Sequence, residues 1–140
     1  MPVLTEFLQY RMTGNNHIEN LTHTIQHYLN TSGLQAGLLT AFVKHTTAAL
    51  MIIEDEPGIR QDTHEFWNEL IPARSSWSHN ALNPGEDNGH SHLRGQLQSP
   101  SISIPFHDRT LTLGRWQHIV LIDFDTRPRT RDVVLQVIGE

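Results

Sequence analysis

The stretch Leu38-Leu39-Thr40-Ala41-Phe42-Val43-Lys44-His45-Thr46-Thr47-Ala48-Ala49-Leu50-Met51-Ile52-Ile53 holds two short apolar runs parted by four polar residues. Each run has the length and flanks of a buried strand, which places His45 at or near a strand end. Connections this short suit antiparallel pairing, because a parallel crossover needs a dozen or more residues. The same reading extends in both directions. Thr5 to Met12, with Phe7, Leu8 and Tyr10, reads as a first strand closed by Thr13-Gly14-Asn15-Asn16. Ile18, Leu21, Ile25, Tyr28 and Leu29 recur at helical spacing and predict a helix from Ile18 to Leu29 that stops at Ser32-Gly33.

Downstream, Pro57 opens a predicted helix to about Leu70, with Ile59, Phe66, Trp67 and Leu70 as its inner face and Pro72 as its stop. Asp87 or Asn88 is placed to cap a short helix through Leu93 and Leu97. The last third is strand-rich. Ile102, Ile104 and Phe106 alternate, His107-Asp108-Arg109 forms a turn, Leu111 to Asp123 is apolar on both faces, and Val133 to Ile138 closes the chain. The expected fold is therefore α+β: a mainly antiparallel sheet, sandwich or barrel-like, with about three helices covering one side. At 140 residues, without repeat or linker, the chain suits one domain.

Composition narrows the chemistry. Ten histidines accompany no cysteine, so disulfides and thiolate metal sites are excluded and His, Asp and Glu are the ligand types available. The formal charge is −5 and the basic residues are scattered apart from Arg127, Arg129 and Arg131, which argues against a nucleic-acid partner. Met1 leads into Pro2-Val3-Leu4-Thr5-Glu6 without a secretory pattern, and no apolar run approaches the roughly 20 residues of a membrane span, so the expectation is a soluble cytoplasmic protein.

The densest histidine segment, His79 to His92, combines three imidazoles with two carboxylates and turn-forming residues. His45 stands where a strand end presents an imidazole to a cleft, with Thr46 or Thr47 to fix backbone and tautomer. On a helix, His90 and His92 diverge by about 200°, so one of the two is expected to face a site. Glu54, Asp55 and Glu56 precede Pro57; they neutralise a helix N-terminus, and Glu54 is also a candidate base or partner for His45, with Asp62 facing the same opening. Arg127, Arg129 and Arg131 alternate so that their side chains share a strand face, and with the helix N-terminus near Gly89 they would suit a diphosphate. Trp116 is placed either to stack on a ring or to fill the core, and Gln117 to read a ring amide or satisfy a strand. His23 and His27 oppose the apolar stripe of their helix and read as solvated; His17 and His64 read as surface or capping residues, His107 as a turn residue, and His118 as a hydrogen-bonded strand residue.

Lys44-His45-Thr46-Thr47-Ala48-Ala49-Leu50 with Glu54-Asp55-Glu56-Pro57, Ser78-His79-Asn80, Gly89-His90-Ser91-His92-Leu93, Leu113-Gly114-Arg115-Trp116-Gln117, and Asp123-Phe124-Asp125 with Arg127-Pro128-Arg129 together resemble the YjbQ-like family, in order and through nearly the whole chain. Members are known as secondary thiamine-phosphate synthases. The resemblance implies a compact α+β domain forming a homotrimer with intersubunit clefts. It also implies condensation of a hydroxymethylpyrimidine diphosphate with a thiazole phosphate, releasing pyrophosphate. Carried over residue by residue, it makes His45, His79 and His92 a three-imidazole cradle for a divalent metal. Zinc fits that set best, and added carboxylates would favour magnesium or manganese. It casts His45, Glu54 and Asp62 as catalytic, and Arg129, Gln117, Trp116, Thr46, Thr47 and Asn80 as substrate-binding. The chain departs from the family pattern at Arg115, where Thr is common, and at His118, where a small or amide residue is common. Two other classes use the same residues: a metal-dependent hydrolase of a small phosphorylated or cyclic metabolite, and a non-catalytic metal- or metabolite-binding trimer.

Overall fold

The computed structural model describes residues 1–140. The elements run β1 (Val3–Met12), β2 (His17–Asn20), α1 (Thr22–Ser32), β3 (Ala36–Val43), β4 (Ala48–Ile53), α2 (Pro57–Leu70), α3 (Ser78–Leu82), α4 (Gly89–Gln98), β5 (Ser101–His107), β6 (Thr110–Leu111), β7 (His118–Asp123) and β8 (Arg129–Gly139). They form a five-stranded sheet, β1-β8-β3-β5-β6, and a three-stranded sheet, β2-β7-β4, with every pairing antiparallel. The expected α+β fold is the observed one.

The two apolar runs around His45 are strands, but they do not pair with each other. β3 lies in the larger sheet and β4 in the smaller, so residues 44–47 carry the chain from one sheet to the other. The inner faces of the two sheets and α1 enclose the main core, where Leu39, Ala41, Val43, Leu50, Ile119, Leu121, Val133 and Leu135 are buried. The opposite face of the smaller sheet packs Ala49, Met51, Val120, Ile122 and Phe124 against Trp67 of α2. β7 is thus covered on both sides, which is why its residues are apolar without alternation.

Three boundaries differ from expectation. Ile18 belongs to β2, opposite Ile122, and the helix begins at Thr22, whose amide is taken by Asn20 Oδ1 at 3.0 Å. Ile18 and Leu21 are three apart, so helical spacing alone could not exclude the strand that β7 provides with a hydrogen-bonding partner. Leu111 to Asp123 is not one strand. Gln117 accepts the Gly114 amide at 2.8 Å and closes a turn between β6 and β7. The fourth helix, α3, lies within the stretch read as turn-rich.

Helix α2 has the predicted bounds, with Pro57 in its first turn and Glu56 accepting the Gly58 and Ile59 amides. Only Trp67 of its expected inner face is fully buried; Phe66 and Leu70 are exposed, because α2 touches a narrow sheet along one row. Arg94 of α4 ties these parts together. Its guanidinium donates to Ile71 O, Asn16 Oδ1 and Asn68 Oδ1, and burial pulls its pKa down to about 10. No helix is long and apolar enough to cross a membrane.

Candidate active site

The crossing between the sheets, the end of β7 and the start of β8 meet in one polar knot. Arg131 donates to both oxygens of Asp123, at 2.6 and 2.8 Å, and to Thr47 Oγ1 at 2.7 Å. Thr47 in turn donates to Asp125 Oδ2 at 2.8 Å, and Arg129 Nε reaches the same oxygen at 2.8 Å. Asp125 Oδ1 takes the Thr126 amide at 2.7 Å, and Asn88 Nδ2 lies 3.4 Å from both carboxylate oxygens. Burial works to raise the Asp125 carboxyl, but Thr47, the Thr126 amide, Arg129 and Asn88 outweigh it and hold the pKa below the ordinary aspartate value. The loop after β1 seals the corner: Asn15 and Asn16 donate their amides to the Asp125 and Asp123 carbonyls at 2.7 and 2.8 Å. At Gly14, φ is 81° and a Cβ would stand 2.5 Å from the Asp125 carbonyl, so the position requires glycine.

Above this knot lies a cleft of about 720 Å3, lined by Lys44, His45, Thr46, Thr47, His79, Glu86, Asn88, His92, Asp125, Pro128, Arg129, Thr130 and Arg131. The three predicted imidazoles all reach it. Asn88 presents its Nδ2 to Asp125, so its Oδ1 faces His79 Nε2 at 3.0 Å and requires a proton there. The lone pair of His79 is therefore on Nδ1. His92 sits beside it, with ring centroids 4.5 Å apart and tilted by 51°. Burial and the neighbouring His79 lower the His92 pKa, so this imidazole is neutral at pH 7.

His45 faces another way. Its Nε2 accepts the Asp132 amide at 3.0 Å, which puts its proton on Nδ1; burial and Arg131 lower its pKa. No three His, Asp or Glu side chains converge closely enough to hold a metal ion. The three histidines share a cleft but do not form the expected cradle within one chain, since the Nε2 lone pair of His45 is already engaged.

The other predicted residues divide. Thr46 and Thr47 line the cleft, as does Arg129. Arg129 and Arg131 both approach Asp125, as strand alternation predicts, whereas Arg127 lies before β8 and donates to Gly85 O at 3.0 Å. Asn80 is not in the cleft. Its Oδ1 takes the Gly89 amide at 2.9 Å, so that donor of α4 is already engaged. His90 is buried outside the cleft, in a smaller pocket beside Arg74 and Asp87.

Glu54 and Asp62 are exposed and do not line the cleft. Glu54 follows β4 at the end away from His45, near His118, whose Nδ1 takes the Asp55 amide at 3.4 Å. Trp116 is neither core nor cleft; it is 59 % exposed beneath the Arg115 guanidinium. His23 and His27 are exposed as expected. Asn88, Asp123 and Asp125 are given no site role by the sequence reading, and Arg131, a diphosphate candidate there, is instead engaged inside the knot by Asp123 and Thr47. Their available signal was the acidic pair at the end of an otherwise apolar strand, a position where burial demands a cationic partner.

Residues 6–140 match the family described as UPF0047 protein YjbQ-like. The chain belongs to that family. A UPF0047 protein of Methanothermobacter thermautotrophicus is 31% identical over 140 residues, covering 100% of this chain and 95% of the relative. One from Archaeoglobus fulgidus is 36% identical over 102 residues, covering 73% and 78%. Among solved structures, a protein of unknown function from Sulfolobus solfataricus P2 superposes with a TM-score of 0.93 at 26% identity, covering 99% of each chain. A hypothetical protein from Aeropyrum pernix K1 gives 0.90 at 34% identity, covering 98% of this chain and 99% of that one.

In this YjbQ-like chain the cleft combines a cationic anchor with a pair of adjacent imidazoles. The Asp125 carboxylate fixes Arg129 by one nitrogen, and the remaining guanidinium donors suit a phosphoryl group. Lys44 adds a second positive charge at the rim. His79 donates through Nε2 to Asn88 Oδ1, and the His92 ring stands beside it with its pKa lowered by burial.

Proposed function

We propose that this chain is an enzyme acting on phosphorylated small molecules, and that its reaction is the one its family resemblance implies. A thiazole phosphate nitrogen attacks the methylene carbon of a hydroxymethylpyrimidine diphosphate; the C–N bond forms as the C–O bond breaks, and its electron pair leaves on pyrophosphate. The observation that carries the reading is the pairing of Arg129, oriented by Asp125, with the His79–His92 pair in a cleft whose lining is polar apart from Pro128. Arg129 and Lys44 stabilise the departing diphosphate, and the imidazoles orient the reactants. A divalent ion, zinc before magnesium or manganese, would take His79 and His92 as its first protein ligands and supply further charge at the diphosphate; no step here depends on it.

A homotrimer is part of the proposal. Glu54 and Gln117 lie at one end of the three-stranded sheet and the cleft lies at the other, so they and Trp116 and Asp62 reach a cleft only from a neighbouring copy. Val3, Ile138 and Leu38 form an exposed apolar row across the larger sheet, suited to burial on self-association. The reaction belongs in the cytoplasm, since phosphorylated intermediates do not cross membranes unaided.

The test is pyrophosphate release measured with both substrates and with each alone. Release that requires both supports the condensation. Release from the diphosphate alone would replace it with hydrolysis, and no turnover under any metal condition would leave a binding protein.

A further inference from the structure

We infer that the smaller pocket beside the cleft is a second ligand site, built for a free amino acid whose ammonium group meets His90, Asp87 and Glu86 and whose carboxylate meets Arg74. The pocket has a volume of about 360 Å3, enough for a small molecule, and of the residues that line it only Glu86 also lines the cleft. The inference is therefore independent of the phosphate reading above.

The floor of the pocket is His90, the one buried residue of its lining, 3% exposed. Ser91 Oγ gives its hydrogen to the Phe124 carbonyl, so towards His90 Nε2, 3.4 Å away, it can only accept. The ring proton is therefore on Nε2 and the lone pair on Nδ1. Burial and the nearby Arg94 lower the pKa of this imidazole, which is neutral at pH 7. His90 Nδ1 is the one buried side-chain nitrogen or oxygen of the chain that has no hydrogen-bond partner. A buried acceptor left unpaired is costly, and an N–H group of a ligand removes that cost. No three His, Asp or Glu side chains converge here, so the complement is a hydrogen-bond donor and not a metal ion.

The rest of the lining separates charge. Asp87 Oδ1 takes the Thr126 hydroxyl at 2.6 Å and stands 3.9 Å from Arg127, which leaves Oδ2 without a partner. The Glu86 carboxylate is exposed and also unpaired. Arg74 makes no ion pair with either acid; its guanidinium lies 3.6 Å over the Trp77 ring, and Trp77 is pinned by its Nε1 bond to the Pro72 carbonyl at 2.9 Å. Opposite charges thus line one small pocket without meeting. A ligand carrying both charges satisfies both ends, whereas an amine alone leaves Arg74 unpaired and an acid alone leaves the carboxylates and His90 unpaired.

The experiment follows imidazole nitrogen and backbone amide shifts of the full chain at pH 7 with L-alanine, L-glutamine, ethylamine and propionate. Both amino acids are expected to shift His90 Nδ1 and the Asp87 and Thr126 amides. Ethylamine and propionate, the two halves of L-alanine, should bind about tenfold more weakly or worse. Arg74→Gln should bring L-alanine down to the affinity of ethylamine, and Asp87→Asn should weaken L-alanine and ethylamine but not propionate. Both positions are exposed, so the fold tolerates either change. Equal binding of L-alanine and ethylamine overturns the inference. So does a shift of the Thr47 and Arg129 amides in place of His90, which would put the amino acid in the cleft. No shift at His90 with any probe also overturns it and leaves Nδ1 to an ordered water.

Discussion

Arg131 and Asp123 face each other in the interior with two hydrogen bonds of 2.6 and 2.8 Å, their side chains 2% and 0% exposed. This pair joins the start of β8 in one sheet to the end of β7 in the other, and Thr47 of the crossing segment completes it. Breaking it strands a buried charge. Arg131→Met should therefore destabilise the protein by about 3–5 kcal/mol, the usual cost of removing one partner of a buried pair. Urea denaturation checks this, and a change below about 1 kcal/mol would contradict the role given to the pair.

Acid should act through Asp125 and Asp55. Both carboxyls are held below the ordinary aspartate value in the folded protein, Asp55 to about 2, chiefly by Arg60. A depressed folded pKa gives stability that is present above the unfolded value, about 3.9, and lost as pH falls through the folded value. Thermal melts from pH 5 to 2 should show a steady decline. Asp125→Asn should flatten the part of the slope that Asp125 supplies.

The imidazoles give a separate step. His45, His90 and His92 all have lowered pKa values, mainly from burial. The unfolded chain binds more protons than the folded one just below the unfolded imidazole value of about 6.5, so stability rises with pH through that region and falls on acidification. NMR titration should place the His92 ring midpoint below 6.5, and a midpoint above that value would contradict a neutral His92 at the cleft.

Gly95 offers a steric test. Gly95→Val places its Cβ against the Thr46 carbonyl and forces α4 away from the crossing segment, at about 1–3 kcal/mol. Stability and phosphate binding should fall together, as read from melts and amide shifts. Gly33→Ala, where no atom lies within 4 Å but φ is 78°, should affect stability alone.

Asn88 links His79 to Asp125. Asn88→Asp replaces an amide that donates to Asp125 with a second carboxylate beside it, and should lower phosphate affinity by about tenfold through the added negative charge. Asn88→Ala should free the His79 tautomer, seen as a changed ring nitrogen shift, with a smaller loss of affinity.

The sequence by itself determined the α+β class and most element positions, while His79 and His92 were picked out by the family resemblance. The elements are written in local spacing: alternation in β5, the Pro57 start of α2, polar residues parting two apolar runs. Periodicity constrains which face is buried, and that is a property of neighbours along the chain. Only the tertiary structure decided that β3 and β4 lie in different sheets, that Ile18 is strand, and that Asp123, Asp125, Arg131 and Asn88 form the base of the cleft. Those outcomes depend on which partners are close in space. A buried carboxylate is tolerable only beside its arginine, and nothing in the spacing of Asp123 and Asp125 shows that Arg131, Thr47 and Asn88 converge on them. The same holds for His45, whose direction is set by the Asp132 amide on a neighbouring strand rather than by its own segment.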